Sequence, residues 1–93
     1  MEFEYDPWKS LVNADKHGID FVKAQALWDD PRLSVVVARI ERESRLLATG
    51  MIGDRHWSAV FTQRGAVTRL SSVRRARRDE VERYEKENRL DQR

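Results

Sequence analysis

The chain has 93 residues, no cysteine, and a formal net charge of +2 from 18 basic and 16 acidic side chains. This length allows a single domain over 1–93, and a 40% hydrophobic share with three Trp, three Phe and two Tyr suffices for its core and argues against general disorder. The lack of cysteine excludes disulfides and thiolate metal sites, no apolar run nears the roughly 20 residues that span a membrane, and the acidic start MEFEYD is unlike a signal peptide, so a cytoplasmic protein is expected.

Phe3 and Tyr5 alternate around Glu4 as a short strand, stable only at the edge of a larger sheet. Asp6-Pro7 predicts a helix start, with aspartate as the cap and proline at the first helical position. Trp8, Leu11 and Val12 fall at i, i+3 and i+4 and predict its buried face, and Gly18 closes it. Asp20 opens a second helix with Phe21, Ala24 and Trp28 as the buried stripe and Leu27 at the margin; Asp29-Asp30-Pro31 stops it. Acidic residues suit a helix C-terminus poorly, so these aspartates are expected to cap the turn or to face a basic partner.

After Pro31 the period changes. Residues 33–40, rich in Val35, Val36 and Val37, predict a strand, followed by strands over 45–52, 56–63 and 67–73. The connections are short and polar: Glu41-Arg42-Glu43-Ser44, Gly53-Asp54 and Arg64-Gly65. Such connections make hairpins. Residues 76–88 predict a last helix with a thin apolar stripe of Val81 and Tyr84, fraying beyond Leu90. The expected class is α+β: a four-stranded antiparallel meander with a short N-terminal edge strand, two N-terminal helices and one C-terminal helix, the helices covering one face.

Charge is distributed unevenly along this order. It runs at about −3 over residues 1–32, +1 over 33–63, +6 over 64–78 and −2 over 79–93. The basic stretch holds Arg64, Arg69, Arg74, Arg75, Arg77 and Arg78 and no acid. A local field of that kind steers a polyanion or an acidic protein more than the net charge does.

No residue pattern implies a metal or a cofactor. His17 and His56 are far apart and in no ligand spacing, Asp29-Asp30 read more simply as caps than as magnesium ligands, and the glycines are too isolated for a phosphate loop. Metal-free RNA cleavage stays open. It needs a base near the 2′-hydroxyl, positive charge on the scissile phosphate and an acid for the leaving oxygen. Histidine suits the proton transfers and arginine forks suit the phosphate. His17 fits that role or a contact with the last helical carbonyls; His56, beside Trp57, reads as structural. Trp8, Trp28, Trp57 and Phe61 read as core in preference to base-stacking platforms.

These stretches together resemble a known family. The opening Phe3-Glu4-Tyr5-Asp6, Lys9, Asn13, Lys16-His17-Gly18-Ile19, Phe21, Ala24 or Ala26, and Asp29-Asp30-Pro31 is similar to that of the BrnT toxins, ribonucleases of type II toxin–antitoxin modules. Glu43-Ser44-Arg45 ahead of Gly50, Phe61-Thr62-Gln63-Arg64-Gly65, Arg69 to Ala76, and Glu80 with Tyr84 resemble the family's later motifs in the same order. Ser71 and Val73 depart from it, standing where the family has isoleucine and alanine. The resemblance implies a RelE-like fold, metal-independent RNA cleavage that blocks translation, and a BrnA-like antitoxin partner through which operator DNA is bound. It draws attention to Lys16, His17, Arg45, Arg64 and Arg74.

The reading that results is an endoribonuclease toxin. Arg64, Arg74 and Arg45 hold the scissile phosphate, His17 moves a proton as the 2′-hydroxyl attacks, and Lys16 positions phosphate or lowers its neighbour's proton affinity. Arg69, Arg75, Arg77 and Arg78 bind RNA. The alternative is a non-catalytic basic module acting as a subunit of a DNA-binding repressor complex.

Overall fold

The computed structural model describes residues 1–40 and 42–91. Strand β1 (Glu2–Glu4) leads into helix α1 (Pro7–His17), with the Asp6 carboxylate accepting from the Trp8 N–H at 2.9 Å. Gly18 ends α1 in the left-handed region, φ 76°, where a β-carbon would be strained. Asp20 caps helix α2 (Phe21–Ala24) by accepting from the Lys23 N–H at 2.7 Å.

The chain then tightens into a 3₁₀ helix over Gln25–Asp29, where a single continued α-helix was expected. At three residues per turn, side chains three apart eclipse. Phe21, Ala24 and Leu27 therefore form one fully buried line. Leu27 is thus a centre of the core and not its margin, while Trp28 rotates to a half-buried position, edge-on to Phe3 and Phe61, each 5.2 Å away.

Strands β2 (Ser34–Ile40), β3 (Ser44–Ile52), β4 (Arg55–Arg64) and β5 (Val67–Arg75) form the antiparallel meander, and helix α3 (Arg78–Asp91) closes the chain. Strand β1 adds in parallel to β5, so the sheet is mixed and its order is β1-β5-β4-β3-β2. The predicted strands stand within two residues at each end. Glu41, in the predicted β2–β3 turn, lies outside the described residues; of the stretch expected to fray beyond Leu90, Asp91 ends α3 and the rest lies outside them too. Among the described residues no helix is long and apolar enough to cross a membrane.

The pleat sends alternate residues to opposite faces. Paired Ala48 and Ala59 face the core with Phe21 and Leu27 above them. Their neighbours Thr49 and Ser58 face the other way, bonded to each other, and Ser58 donates to Glu80 of α3. The helices therefore divide between the two faces, where a single covered face was expected. α3 rests on one end of the second face and leaves the rest open.

Helix α1 corrects a second expectation. Trp8 and Leu11 are 70% and 64% exposed, whereas Ser10 and Asn13 are buried. The cause is a hydrogen-bonding demand. β1 covers β5 only from Val67 to Arg69, so β5 beyond it has an open backbone edge. Asn13 closes that edge: its Nδ2 donates to the Val73 carbonyl at 2.8 Å and its Oδ1 accepts from the Val73 N–H at 3.1 Å. Nδ2 also donates to the Ile19 carbonyl at 2.8 Å, and Ser10 Oγ accepts from the Phe21 N–H at 2.9 Å.

Asn13→Ala removes all three contacts inside the protein and should destabilise it by about 2–4 kcal/mol. Leu11→Ala, on the exposed side of the same helix, should change stability by no more than about 0.5 kcal/mol. Urea midpoints of the two variants would check the assignment.

Helix α3 also packs through polar groups. Its buried line is Glu80, Tyr84 and Asn88, at i, i+4 and i+8; of the predicted Val81 and Tyr84 only Tyr84 is buried. Tyr84 Oη donates to Asp30 Oδ2 at 2.7 Å, and the same oxygen accepts from the Met51 N–H at 2.8 Å. Burial pushes the Asp30 carboxyl up, but these bonds and one from the Arg32 N–H outweigh it and hold the group below its usual range. Burial, helped by Asp30, pushes the Tyr84 phenol up to about 12. Asp30 thus caps its turn, as one of the two sequence readings has it. A β-carbon on Gly50 would lie 3.0 Å from Asp30 Oδ2 and 2.9 Å from a Leu33 methyl, so this tie needs glycine there.

Candidate functional site

The open part of the second face carries a cleft of about 470 Å³, lined by Lys9, Arg42, Glu43, Arg45, Thr62, Arg64, Arg69 and Ser71. Strand period and register gather them from five parts of the chain. Arg69 pairs across β5 and β4 with Thr62, Arg64 lies two residues along β4 on the same face, and Arg45 is the residue before Leu46, the partner of Phe61. Glu43 comes from the β2–β3 connection and Lys9 from the first turns of α1.

A bulge shapes the wall. Val60 pairs with Ser72 but Phe61 pairs with Leu70, which leaves Ser71 as the extra residue of β5. Without it, Leu70 and Val73, three apart, would point to opposite faces. With it both stay in the core, and Ser71 lines the cleft.

Five cations surround one carboxylate in this cleft. Arg64 donates to Glu43 through Nε at 3.3 Å and Nη2 at 2.9 Å. Glu4 of β1 lies 3.6 Å from Arg64 and 3.3 Å from Arg69. The hydrogen bond from Arg64 holds the Glu43 carboxyl below its usual range, with Arg45 and Arg69 adding to the field, and Glu43 raises Arg64 in return. No described carboxylate holds Arg45 in an ion pair.

A second cleft of about 270 Å³ adjoins the first and shares Lys9 and Ser71 with it; Val12, Asn13, Lys16, His17 and Ser72 complete its lining. The predicted residues Lys16 and His17 therefore sit one cleft away from Arg45, Arg64 and Arg69, joined to them by Lys9. Lys16 and His17 are both exposed.

The remaining arginines separate from this group. Arg74 shares the open face but is committed to Glu80, donating from Nη1 at 2.8 Å and Nη2 at 2.9 Å. Glu80, only 4% exposed, also accepts from Ser58 Oγ at 2.8 Å and from the Arg77 N–H at 2.9 Å. The Arg74 hydrogen bonds, reinforced by those from Arg77 and Ser58, override burial and hold its carboxyl down at about 2. Arg75 points to the opposite face, with its guanidinium 5.6 Å from the centre of the Trp57 ring. Arg77 is exposed beside α3, and Arg78 pairs with Glu82 one turn on at 3.2 Å. Neither they nor Arg75 line the two clefts.

Arg42, Glu43, Thr62 and Ser71 carry no site role in the sequence reading, and Lys9 figures only in the resemblance. Lys9 had a signal: Lys9, Val12, Asn13 and Lys16 follow i, i+3, i+4 and i+7, one face of a helix. Among the described residues no three His, Asp or Glu side chains converge as a metal site. What the arrangement offers is charge for a phosphate chain, a carboxylate within that charge, and a histidine next to it.

A family model described as ribonuclease toxin, BrnT, of type II toxin–antitoxin systems matches residues 5–80. No curated protein matches the chain.

Proposed function

The chain belongs to the BrnT family, and we propose that it is a metal-independent endoribonuclease whose toxicity is neutralised by a cognate, BrnA-like antitoxin. The observation that carries this reading is the arginine cleft on the open sheet face, where Arg45, Arg64 and Arg69 converge with Lys9 beside the cleft of Lys16 and His17. RNA lies across this face. Arg45 and Arg64 hold the scissile phosphate in their planar forks, and Lys9 guides the backbone between the clefts. His17 is the proton-transfer group, a role that suits histidine, and Lys16 positions phosphate beside it. Arg74 contributes through Glu80, as a brace beside the cleft at the end of the same sheet face where α3 rests. Arg75, Arg77 and Arg78 extend the field that attracts RNA without touching the reacting phosphate. Operator DNA is contacted only through the antitoxin complex.

Antitoxin-free protein in EDTA, given free RNA and RNA on ribosomes, tests the proposal. Defined fragments ending in 2′,3′-cyclic phosphate are expected. Folded protein that leaves both substrates intact would shift the reading to a repressor subunit that binds without turnover. Salt sensitivity would not separate the two, because either contact weakens with ionic strength.

A further inference from the structure

We infer that Glu43 is the general base of this site and that Arg64 keeps it masked until a phosphate takes its place. The inference rests on the ribonuclease reading above and assigns the first proton transfer to a residue that reading leaves out.

Glu43 is the one carboxylate that lines the cleft among the described residues. Attack by a 2′-hydroxyl needs a proton acceptor within reach of the phosphate being attacked. His17 lines the neighbouring cleft, the side open to the leaving oxygen and not to the attacking hydroxyl. Glu43, by contrast, shares Arg64 with the site where a phosphate would bind. Glu4 meets Arg64 and Arg69 from β1 and does not line the cleft.

The pairing makes the free site self-masking. A carboxylate tied to an arginine fork is a weak base, since the bond stabilises its ionised form. A phosphate oxygen competes for that same fork with matching geometry. When it engages Arg64, Glu43 loses its principal partner and its proton affinity rises next to the ribose. The 2′-hydroxyl proton then passes to a Glu43 carboxylate oxygen as the O2′–P bond forms. The P–O5′ bond breaks, and the 5′ oxygen takes its proton from His17 in its cationic form. The products are a 2′,3′-cyclic phosphate and a 5′-hydroxyl, so charge and protons balance without a further reactant.

Glu43→Gln tests this in folded, antitoxin-free protein, with Glu43→Asp alongside and an all-2′-deoxy oligonucleotide as the uncleavable probe. Metal-free cleavage should fall by about a hundredfold or more, while the probe binds equally well or about threefold tighter at low salt, since a competing carboxylate has gone. Glu43→Asp, keeping the carboxylate, should regain at least about a tenth of wild-type activity. The acidic limb of the kcat profile should disappear in Glu43→Gln; the charges facing this group are its chain neighbours Arg42 and Arg45, with Arg64, Arg69, Lys9 and Glu4.

Wild-type cleavage with Glu43→Gln within about threefold of it would overturn the inference and leave the ribonuclease reading standing. So would a parallel fall in cleavage and probe affinity, which would make Glu43 an organiser of the arginines. Absence of cleavage by the wild type would overturn both.

Discussion

Glu80→Ala is expected to destabilise the protein by about 3–5 kcal/mol at neutral pH, because it leaves a half-buried guanidinium without its counter-charge. That is a large part of the 5–15 kcal/mol typical of a small domain. Glu80 is the hub of a chain of bonds across the second sheet face. It accepts from Arg74, Ser58 and the Arg77 N–H, and Ser58, having donated to Glu80, accepts from Thr49 at 2.8 Å. Among the described residues no buried side-chain nitrogen or oxygen lacks a partner, so removing the hub exposes the cost of several at once.

The same group sets an acid limit. Its folded pKa, about 2, lies below the ordinary 4.5. The stability it contributes is therefore complete above about 4.5 and is lost as pH falls from there towards 2, amounting to about 3 kcal/mol. Glu80→Gln should lose stability at pH 7 and flatten the dependence of the urea midpoint on pH below 4.5. An unchanged acid slope in that variant would assign the acid limit to other carboxylates.

The sequence shows its elements more clearly than its contacts. Asp6-Pro7, Gly18 and the valine-rich strand each declare a local preference, and each stands where it was read. The faces were harder. Trp8, Leu11 and Val12 form the obvious apolar stripe of α1, yet Ser10 and Asn13 are buried because an open strand edge needs donors and acceptors before it needs apolar cover. Helix α3 repeats this with Glu80, Tyr84 and Asn88. Tyr84 was legible as apolar stripe, but nothing in the apolar pattern marks Ser10, Asn13, Glu80 or Asn88, and the Val73 partner of Asn13 lies 60 residues away. The arginine run was legible as charge but not as a surface. The strand period separates Arg74 from Arg75, and the bulge at Ser71 resets the faces between them and Arg69. Glu43 is the least legible: an exposed acid in a charged turn acquires meaning only once β4 brings Arg64 beside it.

Of the cleft cations, Arg45 should matter most to turnover and least to folding. Arg64 and Arg69 already spend part of their hydrogen-bonding capacity on Glu43 and Glu4, and Arg74 is held by a buried carboxylate. Arg45 has no such described partner, so it can turn both prongs of its fork to a phosphate. Arg45→Ala is expected to lower kcat/KM for RNA cleavage by about 10²–10³-fold, the range for removing one donor from a charge-stabilising site, with an unchanged urea midpoint. Arg45→Lys restores the charge but not the fork and should recover only part of the loss. Binding of single-stranded RNA should lose about 0.7 from the slope of log affinity against log salt, the signature of one phosphate contact. Arg74→Ala should also abolish activity, but with a urea midpoint that falls with it, because it leaves Glu80 buried and unpaired. If Arg45→Ala unfolds the protein and Arg74→Ala spares it, the division between cleft and brace is reversed, and the scissile phosphate belongs nearer Ser58 and α3.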